Sequence, residues 1–482
     1  MDKTFLFYDI ETTGLSKAFD QVVQFAAVRT DADLNEIERH EMLVRLSPDV
    51  VPNPHAILTH GIALNQLDYG LTEDKAIEKI HQLMNTPGTI SLGYNTLGFD
   101  DEFLRFSFYR HLLPPYNHQY ANQCGRMDLY PIATLYYLFH NNTINWPSVD
   151  GVPSLKLANL NAANQFVEGN AHNALVDVLA TIELARRFKE TTAMWDYALG
   201  YFDKEADTAR LTKLSIAFTI QNQSFREGIY VDGCFGAEQN YQTYVLSLGR
   251  HHHYKNQTLW LRLDRHDFSQ IKTDEFNHGV FVINKKPGES GFLLPNSTRF
   301  TKYIDKDKQE LIDKNRAWLI ANPELFLALT HHHREYTHPK ITNLDDNAAL
   351  YQNGFLLPHE IQLSAEFHNR DIDGKIALID EFSNPTLRAL AIRYIGRLQP
   401  EKLNNAHQQI YGRYLASINP QDDKHSPVDY RNKPRYTPQQ ALQEIKTLQK
   451  DQTLTASKQK LLDELHTYIN NQFSLAELKG VK

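Results

Sequence analysis

Cysteine is almost missing from this chain: 482 residues hold only Cys124 and Cys234. Two thiols build neither a disulfide framework nor a thiolate zinc cage, so a reducing compartment is expected. Long apolar runs are missing too, since no window approaches the ~18 uninterrupted apolar residues of a membrane-spanning helix. The opening MDKTFLFYDI runs directly into a strand pattern, without the basic-then-apolar stretch of a secretory signal. A soluble cytoplasmic protein with no membrane partner is the expectation. There is no G-x-x-x-x-G-K-[ST] loop to support a nucleotide-driven motor, no fixed-period repeat and no low-complexity tract.

An excess of positive charge is also absent, the formal net charge being −8. The acidity is concentrated: residues 1–190 hold 14 Lys and Arg against 23 Asp and Glu, whereas residues 351–482 hold 17 against 15. An acidic segment is either a solvated face or a set of carboxylates gathered around metal ions, and only motifs separate the two. What is present is ordinary globular composition, 41% hydrophobic and 22% charged. That disfavours wholesale disorder, and the length suggests roughly two to four domains.

The first third reads as an antiparallel meander, TFLFYDIE, QVVQFAAVRT and a third strand around EMLVRL, followed by alternating helix and strand patterns. This is an α/β layered domain ending near residue 190. Short β-like runs follow, SIAFTI, GIYVDG, TLWLRL and GVFVIN, closed by one helix pattern, DKQELIDKNRAWLIAN. Beyond about residue 350 the pattern is helical, from IQLSAEFH to ASKQKLLDELHTYINNQF.

Three acidic features stand out. Asp9 and Glu11 sit two apart on a strand, so they share a face with Phe5 and Phe7; a fraying strand end is the plain alternative. Asp177 is the only charge in ALVDVLATI, on the most helix-like segment of the chain. Periodicity leaves open whether it is buried, where its charge needs compensation, or faces water. Gly93-Tyr94-Asn95 leads into Phe99-Asp100-Asp101-Glu102, where the acids could simply cap a helix. His172 lies five residues before Asp177. The clusters His251 to His253 and His331 to His333 read as exposed loop residues, because consecutive side chains diverge. Cys124 and Cys234 read as packing residues.

A D-x-E strand, an Asp after a later strand and H-x4-D opening a late helix occur here in order. This order resembles the DEDDh exonucleases, and DIETTGL is similar to the first motif of that superfamily. The resemblance implies a ribonuclease H-like fold in which Asp9, Glu11, Asp100 and Asp177 bind two Mg²⁺ ions, with Mn²⁺ as a substitute, and His172 is the general base. Asp100 is preferred to Asp101 as the first acid after the GYN-to-FD stretch. The chemistry suits those residue types. Hard divalent cations favour carboxylate oxygens, two of them can hold the attacking and leaving oxygens of a phosphoryl displacement, and a neutral imidazole can accept a proton near pH 7.

The longer segments GYNTLGFDDEFLRFSFYR, INWPSVDGVPSLKLANLNAAN and GNAHNALVDVLATI resemble the bacterial exodeoxyribonuclease I family, and the likeness continues through VFVINKKP and ALYQNGF. It implies a DEDDh exonuclease domain over 1–192, an SH3-like β domain over 193–347 and a C-terminal α-helical domain over 348–482. The implied activity is processive 3′ to 5′ release of 5′-mononucleotides from single-stranded DNA, in recombination and mismatch repair, by a cytoplasmic monomer. Tyr394 and Arg397 form a Y-x-x-R pattern similar to the family's, on a helix whose Arg388, Arg393 and Arg397 could track a DNA backbone. The family also binds the acidic tail of single-stranded DNA-binding protein. Arg226 and Arg299 match basic positions of that surface, while Ile320 stands where the family has arginine. Asn173 in place of an acidic residue is a further departure. The competing readings are a 3′ to 5′ RNA exonuclease and a scaffold that binds single strands without turnover.

Overall fold

The computed structural model describes residues 3–169, 173–271, 282–420 and 426–473. Strand β1 (Thr4–Thr12) is central in a five-stranded sheet with β2 (Val22–Thr30), β3 (Glu36–Leu43), β4 (Thr89–Leu92) and β5 (Gly125–Arg126), in the order β3-β2-β1-β4-β5. The first three strands form the expected antiparallel meander, and β4 and β5 join in parallel. The third strand begins at Glu36, earlier than its apolar run suggests. Its outer residues are charged and exposed, as an unpaired sheet edge tolerates.

Alternation along β1 and β2 divides the sheet's two faces. Leu6, Tyr8, Ile10, Phe25 and Ala27 pack against Ala76, Ile77 and Ile80 of helix α1 (Glu73–Met84) and Phe103 and Leu104 of helix α2 (Asp100–Arg110). Phe7, Ala26 and Val28 face the other way, onto Val178 and Ile182 of helix α3 (Ala174–Lys189). Because side chains two apart share a face, Asp9 and Glu11 point toward the helix that carries Asp177. Burying Phe7 stabilises this layer by about 1.5–3 kcal/mol, and Phe7→Ala should cost about 3–5 kcal/mol.

Six antiparallel strands follow: β6 (Ile216–Ile220), β7 (Gln223–Val231), β8 (Gln242–Arg250), β9 (Thr258–Arg262), β10 (Val282–Lys285) and β11 (Phe292–Leu294). They run in the order β10-β9-β8-β7-β11, with β6 also on β7. Strands β8 and β11 were not evident as runs in the sequence. The apolar interior of this sheet is continuous with the core beneath α3. Two helices follow, Lys306–Ala321 and Pro323–Glu335. His331 to His333 therefore lie on a helix rather than a loop. His251 is buried rather than exposed, its Nδ1 accepting the backbone N–H groups of His253 and Tyr254.

Beyond residue 350 there are six helices of seven or more residues among the described residues, from Pro358–Asn369 to Ala456–Gln472. Their core is shared with Phe19, Val51, Ile57, Phe106 and Tyr109 of the first module. Among the described residues no helix is long and apolar enough to cross a membrane.

Candidate active site

The fold brings together acids that lie far apart in sequence. Carboxylate oxygens of Asp9, Glu11 and Asp177 come within 4.8 Å of one another. Strand β1 presents the first two. Asp177 comes from the first turn of α3, whose N-terminus is capped by Asn173 accepting from the N–H groups of Leu175 and Val176 at 3.1 and 3.3 Å. That placement settles the question its periodicity left open: Asp177 is half-buried and faces the other acids. The helix N-terminus also favours its negative charge.

Asp100 lies beside this group, outside the set of oxygens within 4.8 Å, and its charge acts on both Asp9 and Glu11. Its Oδ1 accepts the N–H of Ile10, the residue between Asp9 and Glu11, at 3.3 Å. Gly93 lets the chain leading to Asp100 pass close against β1, since an added Cβ there would collide with the Tyr8 carbonyl oxygen and the Thr96 side chain. Asp128 fixes the turn after Gly93, accepting the N–H groups of Asn95 and Leu97 at 2.8 and 3.0 Å.

The electrostatics are those of acids that repel one another. Burial, then Asp100, Asp177 and Glu11, push the Asp9 carboxyl well above the usual range. Burial and the Asp177 and Asp100 charges push Glu11 up to about 8, and burial raises Asp100 to about 8. Asp101, one residue on, is the opposite. Burial again opposes its charge, but Arg126, Arg105 and His118 hold its carboxyl far below the usual range. Arg105 Nε, at 3.3 Å, and Arg126 both meet Oδ2, while His118 Nε2 lies 2.9 Å from Oδ1. Asp101 is therefore no helix cap but the centre of a cation cage, and Asp100 is the acid left to the cluster. Buried carboxylates crowd in this way only if protonated or given a cation. An all-oxygen donor set fits a hard divalent ion better than a soft one.

Comparison with known proteins agrees with this geometry. Residues 6–185 match the family described as Exonuclease, and residues 344–472 match the Exonuclease I C-terminal domain. The exodeoxyribonuclease I of Buchnera aphidicola (subsp. Schizaphis graminum) is 30% identical over 430 residues, 82% of this chain and 83% of that protein. The chain belongs to the exodeoxyribonuclease I family. Escherichia coli exonuclease I solved with a dA16 oligonucleotide is 25% identical, with a TM-score of 0.84 over 98% of this chain and 100% of that one. The zinc-bound form of the E. coli enzyme's single-stranded DNA complex matches equally well, with a TM-score of 0.84. The first module is thus a ribonuclease H-like exonuclease domain, followed by the β module and a helical C-terminal region.

Of the remaining residues singled out from the exodeoxyribonuclease I resemblance, Tyr394, Arg397, Arg226 and Arg299 fall outside this cluster. His172 lies outside the described residues. Tyr394 and Arg397 are not a surface face for DNA, which corrects the sequence expectation. Their helix, Pro385–Leu398, is the inner helix of the C-terminal module. Tyr394 is 2% exposed with its hydroxyl 3.4 Å from Asp74, and Arg397 forks onto the buried Asp49 at 2.8 and 3.0 Å. Arg393 is likewise turned inward, onto Asp345 and Asp346, and Arg388 caps the Phe382 carbonyl. A helix rich in Arg looks solvated in sequence because its anionic partners lie far off in the chain, 348 residues away for Arg397 and 48 for Arg393. Arg226 is half-buried and donates to the Leu214 carbonyl, whereas Arg299 is exposed, its guanidinium 5.5 Å from the Phe300 ring centre. Sequence reasoning missed Arg105, Arg126 and His118; nothing local marks them, since their role exists only around Asp101.

Proposed function

We propose that this exonuclease degrades single-stranded DNA processively from the 3′ end, releasing 5′-mononucleotides by phosphodiester hydrolysis. The observation that carries the reading is the convergence of the Asp9, Glu11 and Asp177 carboxylates, with Asp100 beside them. Its support is the likeness over nearly the whole chain to an E. coli enzyme solved with oligonucleotides. The four carboxylates would hold two divalent ions, Mg²⁺ in the cell. Such ions, when bound, stabilise charge on the attacking and leaving oxygens of an in-line displacement.

The protein's own part is positional. Strand β1 presents Asp9 and Glu11 from a rigid central strand, and α3 and α2 bring Asp177 and Asp100 to its two sides. His172, five residues before Asp177, is the proposed general base that takes a proton from the attacking water. Three domains, over 1–192, 193–347 and 348–482, the second SH3-like, surround a path for the strand, which explains processivity without nucleotide hydrolysis. Strand binding would rest on phosphate contacts and stacking rather than base reading. The proposal includes a cytosolic monomer working in recombination and mismatch repair. It also includes capture of the acidic tail of single-stranded DNA-binding protein, through a surface containing Arg226 and Arg299.

Incubating 3′-labelled and 5′-labelled DNA and RNA strands with and without Mg²⁺ tests this. Release of labelled mononucleotide from 3′-labelled DNA first, only with metal, is expected. Equal digestion of RNA, or 5′ labels released first, would overturn it.

A further inference from the structure

The cage around Asp101 extends beyond the exonuclease domain. Arg126 sits on β5, whose backbone is locked to β4 by the Ser91↔Arg126 pairing. One end of its guanidinium donates to Asp101, and the other meets Glu289 Oε1 of the β module at 2.5 Å. Its side chain is only 11% exposed, so water screens these contacts weakly.

Glu289 is presented from a clamped loop. It lies between β10 and β11, where the fully buried Lys285 ammonium pairs with Asp207 at 2.8 Å and donates to the Glu289 carbonyl at 2.7 Å. Gly288 N–H donates to the same Asp207 at 2.9 Å. The loop holding Glu289 therefore moves with the β module, not independently of it.

Within this bridge Arg105 and Arg126 face Asp101, while Arg126 and Lys286 face Glu289, so these cations are engaged away from Asp100. At the same time Asp101 is gripped on several sides, fixing the first turn of α2 and with it the direction of the Asp100 carboxylate. We propose that Arg126 is a positioning residue: through Asp101 it aims Asp100 into the carboxylate cluster, and through Glu289 it makes that aim depend on the seated β module. The inference rests on the reading of the cluster as a divalent-ion site.

Mn²⁺ binding to the full chain, counted by electron paramagnetic resonance without DNA, is the direct test, alongside kcat and KM on single-stranded DNA. Arg126→Gln should weaken Mn²⁺ binding and lower kcat, each ~10-fold or more, the usual size for a residue that orients a metal ligand, with KM for DNA changed less. Arg126→Lys should recover part of both. Glu289→Gln, a milder change at a half-buried side chain, should reproduce a fraction of the defect, and the same change in the Arg126→Gln background should add nothing. Unchanged Mn²⁺ affinity in Arg126→Gln, with the whole loss in KM, would overturn the proposal. So would a Glu289→Gln effect undiminished in the double variant. If wild-type protein itself binds no Mn²⁺, it is the reading of the cluster that fails.

Discussion

Two acidic sites in this protein, one buried at Asp49 and one half-buried at Asp9 and Glu11, are built on opposite rules. At Asp49 every charge is answered: Arg397 forks onto the carboxylate, Tyr414 donates to it at 2.5 Å, and Arg435 donates to its carbonyl. Burial opposes the charge, yet Arg397 and Arg435 hold the Asp49 carboxyl far below its ordinary value. At Asp9, Glu11 and Asp100 burial is reinforced by neighbouring carboxylates, and although backbone N–H groups oppose this at Asp100, all three groups are pushed up instead. The first arrangement joins the exonuclease domain to the C-terminal helices. The second is costly to the folded protein alone and makes sense as a cation site. Asp100 and Asp101 repeat the contrast between adjacent residues.

The largest expected effect breaks the second site. Asp9→Asn or Asp177→Asn should lower nuclease turnover by on the order of 10²–10³-fold or more, measured as mononucleotide release from labelled single strands. The metal-free protein should melt at the same temperature or slightly higher, because a repelling charge has gone. The same kind of change at the first site should do the reverse. Arg397→Ala leaves Asp49 buried with its main cation missing and should cost about 3–5 kcal/mol in urea unfolding. The folded fraction should retain nuclease turnover within a few-fold.

A pH series sharpens the contrast. Carboxyls with raised folded values bind protons more tightly folded than unfolded, so their contribution is fully present below about pH 4 and lost as pH rises through about 8. In the metal-free protein, calorimetry should therefore show this site lowering the melting temperature between pH 5 and pH 8. Added Mg²⁺ should raise it more at pH 8 than at pH 5.5, since it must displace protons at the lower pH. The smallest effect belongs to a half-buried compensated acid. Glu78 pairs with His368 at 3.0 Å, and although burial opposes its charge, His368 and Lys75 hold its carboxyl down at about 2. Its contribution is present above about pH 4.5 and lost as pH falls toward 2. Glu78→Gln should cost about 1 kcal/mol or less, given its exposure to solvent, and nothing below pH 2.

The sequence showed these two sites unequally. Alternation in TFLFYDIE announced β1 and the shared face of Asp9 and Glu11, because a central strand must be apolar where helices cover it. Helices α1 and α3 were legible from their apolar spacing for the same reason. Strand β3 was read short because its exposed edge carries charges, and β8 was missed because QTYVLSLGR mixes polar and apolar residues. The compensated site was invisible: Asp49 and Arg397 are 348 residues apart, and Arg126 and Glu289 are 163 apart. Local pattern reports which face of an element is apolar, but not which distant charge will meet it. Arg397 on a helix of alternating Arg and apolar residues thus resembled a DNA-tracking face and proved to be a domain clasp.

The most direct test of the central claim is anomalous scattering from a crystal soaked in Mn²⁺. Two strong peaks among the oxygens of Asp9, Glu11, Asp100 and Asp177, absent in Asp9→Asn crystals soaked alike, are predicted. A well-ordered site without a peak at millimolar Mn²⁺, in crystals whose other surface sites take up the ion, would contradict the account.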